Sequence, residues 1–225
     1  MLSATLMALD SLIAEYPSNP TPYSNWVIPG KVLCGAYPMV RDKNESRDHL
    51  RSLLAAGVTT FVCLQEQSEL NMLPDYKSEV MDLHKELGGE KTCRSIQFVH
   101  FPIRDGSILH DVLLNSLISV LEQRVFKNNE LLYVHCWGGH GRTGTLVACM
   151  LAKYYGLHAD LALELTQRLH DTRQDKVISK SPETRVQVSQ VRRIVGKYSI
   201  ARTAPPATAV SAVTPPNSSI GAVPG

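Results

Sequence analysis

Cysteine is sparse and unpatterned in this 225-residue chain. The five, Cys34, Cys63, Cys93, Cys136 and Cys149, are odd in number and form no Cys-x-x-Cys pair. That argues against a disulfide scaffold or a structural zinc site, and fits a reducing compartment: the cytoplasm, with the nucleus left open. Long apolar runs are missing as well, and none approaches the ~20 residues of a membrane-spanning helix. Met1 to Ala14 lacks the basic start of a secretory signal and contains Asp10, so a short amphipathic helix is expected there. Nor does charge of one sign dominate. The formal net charge is +2, which gives no bulk reason to expect a nucleic-acid binder. The local exception runs from Arg168 to Arg202, with nine Lys/Arg against three Asp/Glu. It reads as a solvated helix face or, alternatively, as a docking surface for an acidic partner.

What is present suits one globular domain. Hydrophobic residues make up 44%, enough to build a core at this length. Residues 1–22 read as the helix and a Pro-rich connector, 23–200 as the domain, and 201–225, rich in Ala, Pro and Ser, as a disordered tail. Trp26 to Gly35 reads as two short strands around Pro29-Gly30. Further strands are expected at Val58–Leu64, Ile96–Phe101 and Leu131–His135. Helices are expected at Ser46–Ala56, Asp75–Leu87, Val112–Val125, Arg142–Tyr155, His158–Thr172 and Glu183–Tyr198. On the third of these, Leu113, Leu117, Val120 and Leu121 form the expected apolar face. Strands alternating with helices imply an α/β fold: a single domain with a central, mostly parallel sheet flanked by helices on both faces.

The chemistry concentrates at His135-Cys136-Trp137-Gly138-Gly139-His140-Gly141-Arg142-Thr143. An apolar strand, a glycine-rich loop and a helix in succession make an anion cradle of inward N–H groups and a helix N-terminus. The same field favours a thiolate at Cys136. Arg142 supplies a planar fork for two phosphate oxygens, which a lysine does not. Cys-x5-Arg alone is weak, with about 0.3 chance matches in such a composition. Requiring His135, Gly139 and Thr143 as well lowers this to the order of one in ten thousand.

These residues resemble the signature of the cysteine-dependent protein-tyrosine phosphatase superfamily, His-Cys-x5-Arg-Ser/Thr, over roughly residues 23–198. The resemblance implies Cys136 as nucleophile, forming a phosphocysteine, with Arg142 as phosphate-binding arginine. It implies Thr143 as the hydroxyl that stabilises the leaving thiolate and His135 as the histidine that positions the cysteine. Trp137, Gly138, Gly139, His140 and Gly141 complete the phosphate-binding loop. No metal or other cofactor is implied. Phe101-Pro102-Ile103-Arg104-Asp105-Gly106 resembles the general-acid loop, with Asp105 lying 31 residues before Cys136 and Asp111 in reserve. Gln187 resembles a water-positioning glutamine, with Gln190 as runner-up. Short length and the Pro-Ile-x-Asp-Gly pattern resemble the dual-specificity branch, and the Cys-x-Gly-Gly-x-Gly-Arg loop is most similar to the kinase-associated phosphatases and similar small bacterial enzymes. Leu109-His110 departs from the Pro-Asp usual there. Related enzymes also suggest a protective disulfide at Cys63, beside the reading of a core cysteine. Trp137 is expected to pack beside the loop. His140 either points into the pocket or is structural. Gln65 and Glu66, at a strand's C-terminal end, are expected to border the pocket. The implied activity is hydrolysis of phosphotyrosine, and of phosphoserine and phosphothreonine, in a phosphorylated protein partner. An inositol phosphate or phosphoinositide substrate, and a silent phospho-residue binder, stand as alternatives.

Overall fold

The computed structural model describes residues 9–39, 42–88, 95–175 and 179–201. The tail beyond Ala201 and Cys93 lie outside them. Residues 9–14 are helical. Five strands, β1 (Ser24–Ile28), β2 (Val32–Gly35), β3 (Thr60–Cys63), β4 (Gln97–His100) and β5 (Leu132–His135), form one sheet in the order β1-β2-β5-β3-β4. β1 and β2 are antiparallel across the Pro29-Gly30 turn; every other neighbour is parallel. The helices are α1 (Lys43–Ala55), α2 (Gln67–Leu70), α3 (Tyr76–Glu86), α4 (Asp111–Phe126), α5 (Arg142–Tyr155), α6 (Ala159–Asp171) and α7 (Arg185–Ala201). The short α2 has no counterpart among the expected elements.

Side-chain alternation along the strands divides the core in two. Val32, Cys34, Val62, Leu132 and Val134 pack with α4, α5, α6 and α7 on one face. Leu33, Phe61 and Tyr133 pack with α1 and α3 on the other. The sheet is thus mostly parallel and covered on both sides, the expected α/β fold.

α4 departs from its expected face. Leu114, Leu117, Ile118, Leu121 and Val125 are buried, whereas Leu113 and Val120 are exposed. A helix with apolar residues at so many phases has several candidate stripes, and packing against α5 and α7 selects the one shifted by a residue. Its first turn is capped by His110, whose Nδ1 accepts the Val112 N–H at 3.4 Å. The Leu109-His110 departure therefore leaves a helix cap in place.

Candidate active site

β5 ends at His135 and α5 begins at Arg142, so the loop Cys136–Gly141 leaves the carboxyl end of the central strand and enters a helix N-terminus. The loop is pressed against β2. Gly139 has φ +71°, and a Cβ there would lie 2.0 Å from the Gly35 carbonyl oxygen. Glycine alone suits both constraints. Tyr37 N–H donates to the Trp137 carbonyl at 2.8 Å. Arg173, also buried, donates to the carbonyls of Gly138 (3.3 Å) and Gly139 (2.9 Å) while its Nε holds Asn25 Oδ1 at 2.7 Å. Carbonyls bonded to the outside place the N–H groups of the same trans peptide planes on the inner side.

Arg142 is 2% exposed. Its Nη1 and Nη2 donate to Glu69 Oε2 and Oε1 at 2.5 and 2.8 Å, and Nη1 also donates to the Ile103 carbonyl at 3.0 Å. Asp105 Oδ1 lies 3.0 Å from Nη2, on a side chain 76% exposed. Burial alone would raise the Glu69 carboxyl, but the bond from Arg142 and further hydrogen bonds outweigh it and hold it below the usual range. Arg142 Nε, by contrast, is buried with no protein partner. Thr143 Oγ1 is likewise buried and unpartnered. Cys136 itself is 3% exposed. Unpaired buried donors are costly in a finished fold, and a bound oxyanion is the chemistry that satisfies them.

His135 is fully buried, with Nε2 3.1 Å from Tyr76 Oη. Burial pushes its pKa down to about 3. At neutral pH its imidazole is therefore uncharged. Cys63 pairs with His135 across the β3–β5 register, and burial pushes its thiol up to about 11. Cys34, Cys63, Cys136 and Cys149 are all free thiols.

Over residues 21–207 the chain matches the family described as PTP-SAK, the Swiss Army Knife protein DSP-PTPase phosphatase domain. The chain belongs to this dual-specificity and tyrosine phosphatase family. Among curated relatives, it is 29% identical to human dual specificity protein phosphatase CDC14A over 145 residues, 61% of this chain and 21% of that one. It is 31% identical to the Caenorhabditis elegans tyrosine-protein phosphatase cdc-14 over 137 residues, 60% of this chain and 17% of that one. A relative from Invertebrate iridescent virus 3 is matched over 56% of its length, so the chain spans about half or less of these relatives. Solved structures share the fold. Tk-PTP in its active form superposes with TM-score 0.57 at 23% identity, covering 78% of this chain and 98% of that one. Kinase-associated phosphatase gives 0.53 at 19%, covering 75% and 87%.

Other residues singled out in the sequence find definite places in this phosphatase fold. Gln187, fully buried, accepts the N–H groups of Glu183 and Thr184 on Oε1 at 3.1 and 3.0 Å and donates from Nε2 to the Ser107 carbonyl at 3.2 Å. Gln190, also buried, donates to the Leu109 carbonyl. The reserve acid Asp111 is gripped by Arg193 at 2.7 Å and Lys197 at 3.1 Å, and the Arg193 bonds hold its carboxyl far below the usual range. It is a poor proton donor. Trp137, expected to pack beside the loop, is 49% exposed and borders a cavity of about 270 Å³ with Tyr37, His140 and His170. His140 Nδ1 lies 3.2 Å from the Gly138 carbonyl, and Nε2 lies 3.7 Å from Glu183.

Two site residues escaped sequence reasoning. Glu69, rather than Gln65 or Glu66, meets Arg142; the only signal was that a buried guanidinium needs a carboxylate near the end of β3. Arg173 was read as part of the basic stretch. Among the described residues of that stretch, Arg168 pairs with Asp10 and Glu164, Arg192 with Asp160, and Arg193 and Lys197 with Asp111. Among the described residues no helix is long and apolar enough to cross a membrane.

Proposed function

We propose that this chain hydrolyses phosphomonoesters on proteins, phosphotyrosine foremost and phosphoserine and phosphothreonine with it. Convergence on Arg142 carries the reading. Its guanidinium is fixed by Glu69 and the Ile103 carbonyl, its Nε is unspent, and Asp105 stands 3.0 Å away. Phosphate oxygens take the loop N–H groups and the Arg142 fork. The Cys136 thiolate forms an S–P bond as the bond to the leaving oxygen breaks, and Asp105 gives that oxygen its proton. Water then attacks phosphorus, Asp105 takes its proton, and the S–P bond breaks with the thiolate leaving toward the Thr143 hydroxyl. His135 keeps Cys136 in place, and neither step consumes a cofactor.

The test is a panel of phosphopeptides and soluble inositol phosphates, with wild type and Cys136→Ser compared without added metal. Release from phosphopeptides, abolished in the variant, is the expected result. Turnover of inositol phosphates alone moves the substrate class to inositides. No release from any compound leaves a silent binder.

A further inference from the structure

Asp105 sits at the tip of a surface turn. Ser107 N–H donates to the Arg104 carbonyl at 3.1 Å, with Gly106 at φ +66° in the third position. Such a turn has little of its own to fix it: a Cβ on Gly106 would meet nothing within 4 Å. Its leading side is tied by Arg142 to the Ile103 carbonyl. Its trailing side is tied by a single helix. Thr184 and Gln187 form a reciprocal capping box at the start of α7, in which Thr184 Oγ1 accepts the Gln187 N–H at 3.4 Å and Gln187 Oε1 accepts the Thr184 N–H at 3.0 Å. Each side chain also gives a hydrogen bond to the acid loop. Thr184 Oγ1 donates to the Gly106 carbonyl at 3.3 Å and Gln187 Nε2 to the Ser107 carbonyl at 3.2 Å. One turn on, Gln190 Nε2 reaches the Leu109 carbonyl and, at 3.2 Å, Asp111 Oδ1. Arg193 and Lys197 continue the line onto Asp111. Positions 187, 190, 193 and 197 fall within about 120° of one another around the helix, and Thr184 precedes it as the cap.

We infer that this face of α7 is the device that positions the general acid, with Gln187 and Gln190 as positioning residues acting through the loop carbonyls. The inference rests on Asp105 as the acid. It assigns Gln187 a different task from water positioning: both ends of its amide are bonded to backbone. The two roles separate kinetically. Hydrolysis of the phosphocysteine follows departure of the leaving group, so loss of a water-positioner brings kcat down toward one common value and leaves kcat/KM unchanged. Loss of acid positioning slows substrates whose leaving group needs a proton.

Gln187→Glu keeps the acceptor oxygen for the capping box and removes the donor to Ser107. Gln190→Met removes the donor to Leu109 at similar volume. Each is assayed on a series of aryl phosphates with good and poor leaving groups, beside Asp105→Asn, with thermal melting to confirm folding. In Asp105→Asn the ratio of kcat/KM for good over poor leaving groups is expected to rise about 100-fold or more. In Gln187→Glu it is expected to rise about tenfold, with a smaller rise in Gln190→Met and a flattened basic limb of the pH profile. If Asp105→Asn leaves the ratio unchanged, the assignment of the acid fails. If Asp105→Asn raises it and both glutamine variants leave it unchanged, whether or not their kcat falls to one common value, the positioning role is overturned.

Discussion

The nucleophile loop lies against β2 so closely that Gly139 admits no side chain, whereas the acid loop stands in solvent with open space around Gly106. The first is fixed chiefly through its own backbone, by Tyr37, Arg173 and the end of β2. The second is fixed by side chains of a helix that begins about eighty residues later in the chain. The difference suits the two tasks proposed for them. Stabilising an anion requires many dipoles aimed in advance, and those must be buried and rigid to be effective. Delivering a proton requires one carboxyl within reach of leaving groups of varied shape, so the loop stays open in front and is held from behind.

The same small substitution in each loop tests this contrast. Gly139→Ala forces a methyl into the Gly35 carbonyl and a non-glycine residue into left-handed backbone. Turnover is expected to fall about 100-fold or more while circular dichroism shows the fold retained; activity within tenfold of wild type would show that the close approach is not needed. A second difference is one of pH. His135 and His170, both near the nucleophile loop, are buried neutral with pKa pushed down to about 3 by desolvation. Unfolded, each takes a proton near pH 6.5. Between those values the unfolded chain binds more protons, so stability falls as pH drops below about 6.5, by up to about 1.4 kcal/mol per pH unit for each imidazole. Melting temperature should follow, with a shallower slope in His170→Gln; an unchanged slope would remove that histidine from the account. Asp111, the charged anchor of the acid loop, stays ionised through this window. The smallest effect is expected from Gly106→Ala, about 1 kcal/mol of left-handed strain with turnover within about threefold of wild type. A loss as large as that of Gly139→Ala, read by the same assays, would erase the contrast between the loops.

The two loops also differ in how much of them could be read from residues alone. Cys136 to Thr143 is contiguous, and its glycines, arginine and flanking strand and helix state their chemistry in order. The alternation along β2, β3 and β5 was equally open, because a two-faced sheet writes its partition into every second residue. Glu69 was hidden because Glu66 satisfies the same local pattern; only the path of α2 decides which carboxylate faces Arg142. Arg173 was hidden by its basic neighbours, since nothing local separates a buried arginine from a solvated one. The α4 face slipped because Leu113 and Leu114 compete for the same stripe, and a neighbouring helix settles the choice.

Arg142 bonds Glu69 from α2 and the Ile103 carbonyl of the acid loop, and its unspent Nε is kept, in the function proposed above, for the arriving anion. A residue with three such obligations has little freedom to drift. Descendants of this sequence seeking new substrates would find their latitude instead at Trp137, a half-exposed ring on the rim whose replacement disturbs no tie between segments. Diversification is thereby steered outward, from the reacting centre to its border.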